Sequence, residues 1–467
     1  MSPKPQPIEL PRKPHYVTLT ADCNFFELFK KIEKRFDTCF MLESLGEESY
    51  VSRHSIIGFD PEQILYAKGN SLYIRNRDGA TESYQSDNPY YLLRDIVPQD
   101  VISRKYAGGL TGYIGYDAMH YFEPSLKLKS SDYFDVFKFG LFKDGLTLDK
   151  MTGEVTYFYY TESRIDFIRQ LLEEEYPGNG ELKITDLGDT MTRQQHTDAV
   201  MKVKQDIVDG KIFQCEVGFK KRFRLEGDTI NIYEKMREMN PSPQMYYVKF
   251  GEQKLIGASP EMLFRLRQGE METFPLAGTA KRGATPEEDT QYARTLLNNP
   301  KEIAEHKMIV DLHRNDIGRV ARFGTVKVRS LMDIKRFSHV QHISSEIVGI
   351  MAESEDMFSA LASNFPAGTL TGAPKIEAMK IIDDLESDGR GPYGGAVGHF
   401  SFNGDCTFAI PIRTVFAKGE DAYVQTCGGN VYDSNPADEY EEIRQKFNGT
   451  KKVLDQFMAE ASEKAAL

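Results

Sequence analysis

The sequence has no tryptophan, although it carries 29 Phe and 24 Tyr, and that absence alone excludes nothing. Scarcity of cysteine is more informative. Its five copies, Cys23, Cys39, Cys215, Cys406 and Cys427, are odd in number, scattered, and nowhere form a CxxC. Neither a disulfide framework nor a thiolate zinc site is indicated, and a reducing compartment fits. Long apolar runs are also missing: nothing approaches the roughly 20 apolar residues of a spanning helix. The opening MSPKPQPIELPRKP is polar and proline-rich, without the apolar segment of a signal peptide. A cytoplasmic protein is expected. Positive charge is in deficit, with 58 Lys and Arg against 70 Asp and Glu and a net charge of −12. That balance speaks against nucleic acid or an anionic membrane as the main partner and leaves room for local binding of an anion. No P-loop or dinucleotide fingerprint follows a strand-like run, so nucleotide binding has little support.

At 467 residues the chain can bury a large interior, and its length suggests about two or three domains. A polar leader over 1–15 precedes Phe25, Leu28, Phe29, Ile32 and Phe36 at helical spacing, then strand-like runs near 38–43, 63–67 and 71–75. YPGNG at 176–180 is the clearest break, and Thr192 with Gln195 forms a capping box that opens a helix. These signals divide the chain into an N-terminal unit at 16–176, a linker at 177–191, a second unit at 192–460 and a tail at 461–467. Strands are expected over most of 212–275, at 340–349 and at 396–427, and helices at 287–320, 372–386 and 437–460. Antiparallel runs interleaved with helices, without regular βαβ alternation, predict an α+β fold.

Two Glu-x-x-Glu pairs stand out, Glu302 with Glu305 and Glu439 with Glu442, far apart in the chain and both in helical segments. Spacing of three puts each pair on one helix face. Such pairs are common on solvated faces, but two turned toward each other make an all-oxygen cage suited to Mg²⁺. Around them lie SPEM at 259–262, PLAGTAKRG at 275–283, AGTLTGAPK at 367–375 and PYGGAVG at 392–398, whose glycine and charge are hard to explain as packing. Glycines at 278, 368, 372, 394, 395, 428 and 429 serve either as tight turns or to bring backbone N–H groups against a carboxylate. Arg413, in the apolar AIPIRTV, needs an anionic partner, either a structural carboxylate or a substrate. His342 reads by default as a hydrogen-bonded strand histidine, and Lys375, Arg314, Asn315 and Asp316 as scaffold.

Taken in order, these segments resemble the chorismate-utilising enzymes, the anthranilate synthase component I group above all. MLES at 41–44, SRHSIIGFDP at 52–61 and NPSPQM at 240–245 extend the resemblance over nearly the whole chain. It implies a large, mostly antiparallel β-sandwich with helices outside and a cleft in the C-terminal part. It also implies Glu305 and Glu442 as Mg²⁺ ligands, supported by Glu302 and Glu439, and Glu261 as the acid that protonates a departing ring hydroxyl. Gly278, Thr279, Thr369, Tyr393, Arg413, Cys427, Gly428, Gly429 and Lys446 fall at substrate positions. His342 matches a histidine tied to loss of pyruvate. Gln214 stands where water-adding relatives carry a lysine base, and Ala277 where many aminodeoxychorismate synthases carry a lysine nucleophile. Both favour an enzyme that makes anthranilate from chorismate and ammonia. The ammonia is expected from a separate glutamine amidotransferase, since none fits after residue 460. Leu42, Glu43, Ser44, Pro243, Gln244, Met245 and Val397 match a tryptophan inhibitor site, although Gln244 and His399 stand where aromatics are frequent.

Overall fold

The computed structural model describes residues 4–19, 23–45, 53–336 and 340–458. The expected tail, the first leader residues and Ser52 of the SRHSIIGFDP segment lie outside them. Two antiparallel sheets, each of twelve strands among the described residues, dominate the molecule. Eleven strands of each follow one path, with Gly372–Ala373 paired to Gln214–Gly227 and Lys327–Arg336 to Val340–Ile350 off it; the first runs His15–Leu19, Glu154–Tyr159, Gly145–Asp149, His54–Phe59, Thr38–Glu43, Gln244–Phe250, Gln253–Ser259, Thr414–Lys418, Asp421–Asn430, Gln214–Gly227, Leu182–Asp189. The second runs Leu276–Lys281, Val340–Ile350, Glu270–Thr273, Met262–Arg267, Cys406–Ala409, Ala396–Ser401, Gly109–Ile114, Phe137–Phe142, Gln63–Lys68, Ser71–Asn76, Thr81–Gln85.

Strand alternation decides which side chains enter which core. Along Gln244–Phe250, Tyr246, Val248 and Phe250 join Leu65, Tyr113, Phe139 and Phe408 of the second sheet between the layers. Their neighbours Met245 and Tyr247 point to the opposite face, where Phe29, Ile32, Met236, Ile443 and Phe447 cover the first sheet. Those residues belong to the helices Phe25–Arg35, Ile230–Met239 and Pro436–Leu454. Each fully buried Phe or Leu contributes about 1.5–3 kcal/mol of burial free energy, so the two cores fix sheet order and register together. This is the α+β sandwich with outer helices that the motifs imply.

The expected units do not separate in space. Thr38–Glu43 pairs with Gln244–Phe250, and Gly109–Ile114 with Ala396–Ser401, so both sheets are assembled from both halves. The stretch expected as a linker carries the strand Leu182–Asp189, which extends the first sheet alongside Gln214–Gly227. The break expected at 176–180 lies between the helix Ile165–Glu173 and the strand Leu182–Asp189, but a local break says nothing about which distant strand comes back to pair. The Thr192–Gln195 capping box is present and opens the helix Arg193–Val208. No described helix is long and apolar enough to cross a membrane.

Candidate active site

Two helices deliver the paired acids, and they start alike. Asn299 caps Pro300–Gly318 and Asn435 caps Pro436–Leu454; each side chain accepts a backbone N–H, and each helix has proline in its first turn. Proline suits that position because its missing N–H has no helical partner there. Glu302 and Glu439 thereby sit in the first turn of their helices, where the positive end of the backbone dipole favours carboxylates, with Glu305 and Glu442 one turn further on. Pro300–Gly318 packs on Leu276–Lys281 and Val340–Ile350, and Pro436–Leu454 on Asp421–Asn430. The two helix ends are near enough for Glu442 to act electrostatically on Glu305. Glu305 is held above the ordinary carboxyl range by burial and then by Glu302 and Glu442, and Glu439 by burial and then by Glu442.

As placed, the four carboxylates share an electrostatic environment without forming a coordination shell. No three His, Cys, Asp or Glu side chains among the described residues are close enough together to hold a metal ion. Lys446 supplies the positive charge instead: its Nζ donates to Glu442 Oε1 at 2.8 Å and to the Cys427 carbonyl at 2.9 Å. Burial opposes that charge, and Glu442 and Glu216 more than restore it, raising the lysine pKa. Glu439 Oε1 accepts from Ser434 at 2.6 Å. A Cβ on Gly278 would fall 2.8 Å from Glu302 Oε2, and one on Gly428 would fall 3.4 Å from Glu439 Oε2. Gly278 lets an acid lie against bare backbone, whereas the contact at Gly428 is one that a Cβ would also allow. Carboxylate oxygens alone, gathered at two dipole ends, are a donor set that fits Mg²⁺.

Glu261 follows the strand Gln253–Ser259 and is buried. Its Oε1 accepts from Thr369 Oγ1 at 3.1 Å. Burial lifts its pKa from an ordinary 4.5 to about 8, against the hydrogen bonds from Thr369 and the Leu276 backbone, so the group carries its proton at neutral pH. Thr369 lies on the short turn Gly368–Leu370. That turn is anchored from behind by Arg390, whose Nη1 donates to the Leu370 carbonyl at 2.6 Å and Nη2 to the Glu216 carbonyl at 2.7 Å. Glu386 holds the same guanidinium at 2.7 and 2.9 Å.

Arg413, expected to need a structural carboxylate or a substrate anion, follows the strand Cys406–Ala409. Burial lowers its pKa, with Glu261 acting to raise it, and among the described residues no carboxylate forms an ion pair with it. Its backbone adopts a φ of +51°, a left-handed conformation uncommon outside glycine and typical of functional positions. His342 pairs with Thr279 across the ladder, and its Nδ1 is 2.9 Å from the Gly278 carbonyl and 3.1 Å from Thr279 Oγ1. Burial depresses its pKa to about 4, so the ring is neutral. The Tyr393 hydroxyl donates to Cys427 Sγ at 3.1 Å, and Gln214 Nε2 donates to Glu216 Oε1 at 3.2 Å.

Glu216 is the residue that sequence reasoning passed over. Its pKa is raised to about 7 by burial, with Glu305 and Glu442 adding and Lys446 subtracting. The signal was available: in QCEVGF, Glu216 shares a strand face with Gln214.

Leu42, Glu43, Ser44, Pro243, Gln244, Met245 and Val397 all line one cavity of about 170 Å³, together with Tyr106 and His399. The Glu43 carboxylate is committed to Arg237 at 2.7 Å and to the Tyr233 hydroxyl at 2.8 Å. It reaches the cavity as scaffold. Tyr106 and His399 meet edge to face with ring centroids 4.9 Å apart.

Similarity to known proteins agrees with this geometry. Residues 22–452 match the chorismate binding enzyme family. Anthranilate synthase component 1 of Leptospira biflexa is 50% identical over 457 residues, covering 96% of this chain and 97% of the relative. The protein of that name from Methanothermobacter thermautotrophicus is 42% identical, covering 92% of each. The crystal structure of anthranilate synthase component I from Streptococcus pneumoniae superposes with a TM-score of 0.75 at 29% identity, covering 88% of this chain and 94% of that one. The menaquinone-specific isochorismate synthase of Escherichia coli, at 17% identity and a TM-score of 0.72, shares the fold. Matched over residues 22–452 by the family and 50% identical to a relative over nearly its whole length, the chain belongs to the chorismate-binding enzyme family.

Proposed function

We propose that the chain is the large subunit of an anthranilate synthase. It is a Mg²⁺-dependent carbon–oxygen lyase that converts chorismate and ammonia into anthranilate and pyruvate for tryptophan biosynthesis. A separate glutamine amidotransferase supplies the ammonia. The observation that carries this reading is the pairing of Arg413, without a carboxylate of its own, with Glu261, held protonated at a pKa of about 8. One awaits an anion and the other a leaving group that needs a proton.

Arg413 receives the carboxylate of the enolpyruvyl side chain, for which its planar fork is suited. Glu305 and Glu442, supported by Glu302 and Glu439, would hold Mg²⁺, which would supply counter-charge for the ring carboxylate. Amine attack at ring carbon 2 shifts the double bond and expels the carbon 4 hydroxyl. Hydroxide leaves poorly, so Glu261 gives its proton to the departing oxygen, and Thr369 keeps that carboxyl in place. His342, neutral and fixed through Nδ1, is suited to accept the ring proton as pyruvate is eliminated and the ring becomes aromatic. Gln214 offers no base for water and Ala277 no nucleophile toward the ring, which disfavours isochorismate and aminodeoxychorismate as products.

Feedback inhibition by tryptophan is assigned to the cavity at Ser44, Met245 and Val397. Ser44 Oγ and His399 Nδ1 lie buried there with no hydrogen-bond partner among the described residues, as recognition groups for a polar ligand do. Pure chain incubated with chorismate, Mg²⁺ and ammonium at mildly alkaline pH is expected to release fluorescent anthranilate, less of it when tryptophan is added. Aminodeoxychorismate as the end product would move the chain to folate synthesis. Tryptophan or chorismate binding without any turnover would make it a sensing subunit.

A further inference from the structure

One buried carboxylate in the cleft has no part in the steps above. Glu216 lies directly across the ladder from Gly429. A Cβ on Gly429 would fall 2.5 Å from Glu216 Oε1 and 2.8 Å from Gln214 Nε2, so glycine alone lets the two side chains lie together over the backbone. Glu216 Oε1 accepts from Gln214 Nε2 at 3.2 Å, and Oε2 from Cys427 Sγ at 3.3 Å. Among the described residues neither oxygen is in an ion pair. A carboxylate buried only for stability needs a cation in contact, and an amide with a thiol is a poor substitute. Electrostatically, Glu216 feels Lys446, Glu305 and Glu442, and it acts in turn on Glu261. It therefore stands between the proton donor and the acidic helix ends, beside the residue type that separates amine-adding from water-adding chemistry.

We propose that Glu216, together with Gln214, holds the incoming ammonia and accepts the proton that the new C–N bond releases. This rests on the anthranilate synthase reading. The nitrogen lone pair forms the bond to ring carbon 2, the double bond shifts, and the C4–O bond breaks. The hydroxyl departs as water with the proton of Glu261. The nitrogen, left with one proton more than a neutral amine, passes it to the Glu216 carboxylate. One proton leaves a carboxyl and one arrives at a carboxylate, so the charge of the pair is unchanged. Ammonia presents N–H donors and a single lone pair. A carboxylate beside an amide orients that lone pair toward the ring, where a lone amide would leave it free to tumble.

The test is steady-state kinetics of the wild type and of Glu216→Gln and Glu216→Asp, with ammonium as the nitrogen source and ammonium, chorismate and Mg²⁺ varied separately. Expected is a loss in kcat/KM for ammonium of about a hundredfold or more in Glu216→Gln, with a smaller loss in Glu216→Asp, which keeps the acceptor but draws it back. KM for chorismate and the Mg²⁺ midpoint stay near wild type. Ammonium kinetics close to wild type in both variants would overturn the assignment, and so would a loss confined to the Mg²⁺ midpoint or to chorismate KM. A wild-type chain that makes no anthranilate from ammonium would overturn the parent reading along with it.

Discussion

The cleft and the cavity beside it are built from neighbouring strands and treat charge in opposite ways. In the cleft, Arg413 has no ion-paired carboxylate among the described residues, Glu305 is pushed up by burial, Glu302 and Glu442, and Glu261 is buried without an ion-paired cation. In the cavity, the one deeply buried carboxylate, Glu43, is satisfied by Arg237 and Tyr233, and burial keeps His399 neutral with a pKa near 4. Chemistry needs groups whose best partner arrives with the substrate. Recognition of a zwitterion needs shape and a few open hydrogen-bond sites. The two regions also touch through backbone: Gln244 pairs with Ser259, two residues before Glu261, and Val397 pairs with Ala409, whose neighbour Ile410 donates to the Glu261 carbonyl at 3.1 Å. A ligand that shifts Gln244 or Val397 acts on the strand ends that hold the proton donor. If tryptophan inhibits as proposed, linkage requires chorismate to weaken tryptophan binding by the same factor that tryptophan weakens chorismate.

The largest break in this contrast comes from Glu261→Gln. Removing a positioned acid should cut turnover by about 10²–10⁴-fold while leaving chorismate binding, measured by calorimetry, nearly intact. In the wild type, kcat should fall as pH rises through about 8, even as more free ammonia becomes available. Stability carries a matching signature. Between the ordinary 4.5 and about 8 the folded protein binds more protons at Glu261 than the unfolded chain, so stability falls as pH rises across that window. Glu261→Gln should flatten this part of the melting-temperature profile, and an unchanged slope would remove the raised pKa from the argument.

Two interior arginines, Arg390 buried and Arg413 half-buried, sharpen the comparison further. Arg390 is fully paired with Glu386, which also receives Gly218 N at 3.0 Å and Gln425 Nε2 at 3.1 Å. Arg390→Met would strand that carboxylate, and thermal unfolding should report a loss of about 3–5 kcal/mol. Arg413→Gln should do the reverse. Removing a half-buried cation without an ion-paired partner leaves stability unchanged or higher. KM for chorismate should then rise roughly ten- to a hundredfold, corresponding to about 1.5–3 kcal/mol for a charged hydrogen bond. Equal destabilisation by both substitutions would mean that Arg413 has a structural role after all.

The acids of the cleft were legible because their spacing is local: Glu-x-x-Glu reads off one helix at a time. The Asn-Pro start shared by both helices was equally local, and it adds a reason for the acids to sit where they do. Glu216 was missed because a lone acid in a strand resembles a solvated face until its ladder partner is known to be Gly429. Division into two units failed for the same reason. The pairing of Thr38–Glu43 with Gln244–Phe250 joins segments about two hundred residues apart, and period-two alternation gives the face of a strand without naming its neighbour. Glu43 shows the opposite error, since a residue can line a cavity while its functional group points into scaffold.

The smallest predicted effect tests the cavity. His399 stands where aromatic side chains are frequent, and it already packs edge to face on Tyr106. His399→Phe should keep that ring contact, remove a buried nitrogen that has no hydrogen-bond partner among the described residues, and present a larger apolar edge to an indole. An aromatic contact of this kind is worth about 0.5–1.5 kcal/mol, so the tryptophan concentration for half-inhibition should drop by roughly two- to tenfold. Turnover without tryptophan should stay at the wild-type level, because His399 touches none of the groups that hold or move a proton. Weaker inhibition in this variant would mean that Nδ1 of His399 is itself a ligand contact, and the cavity would then depend on a polar anchor that shape alone does not supply.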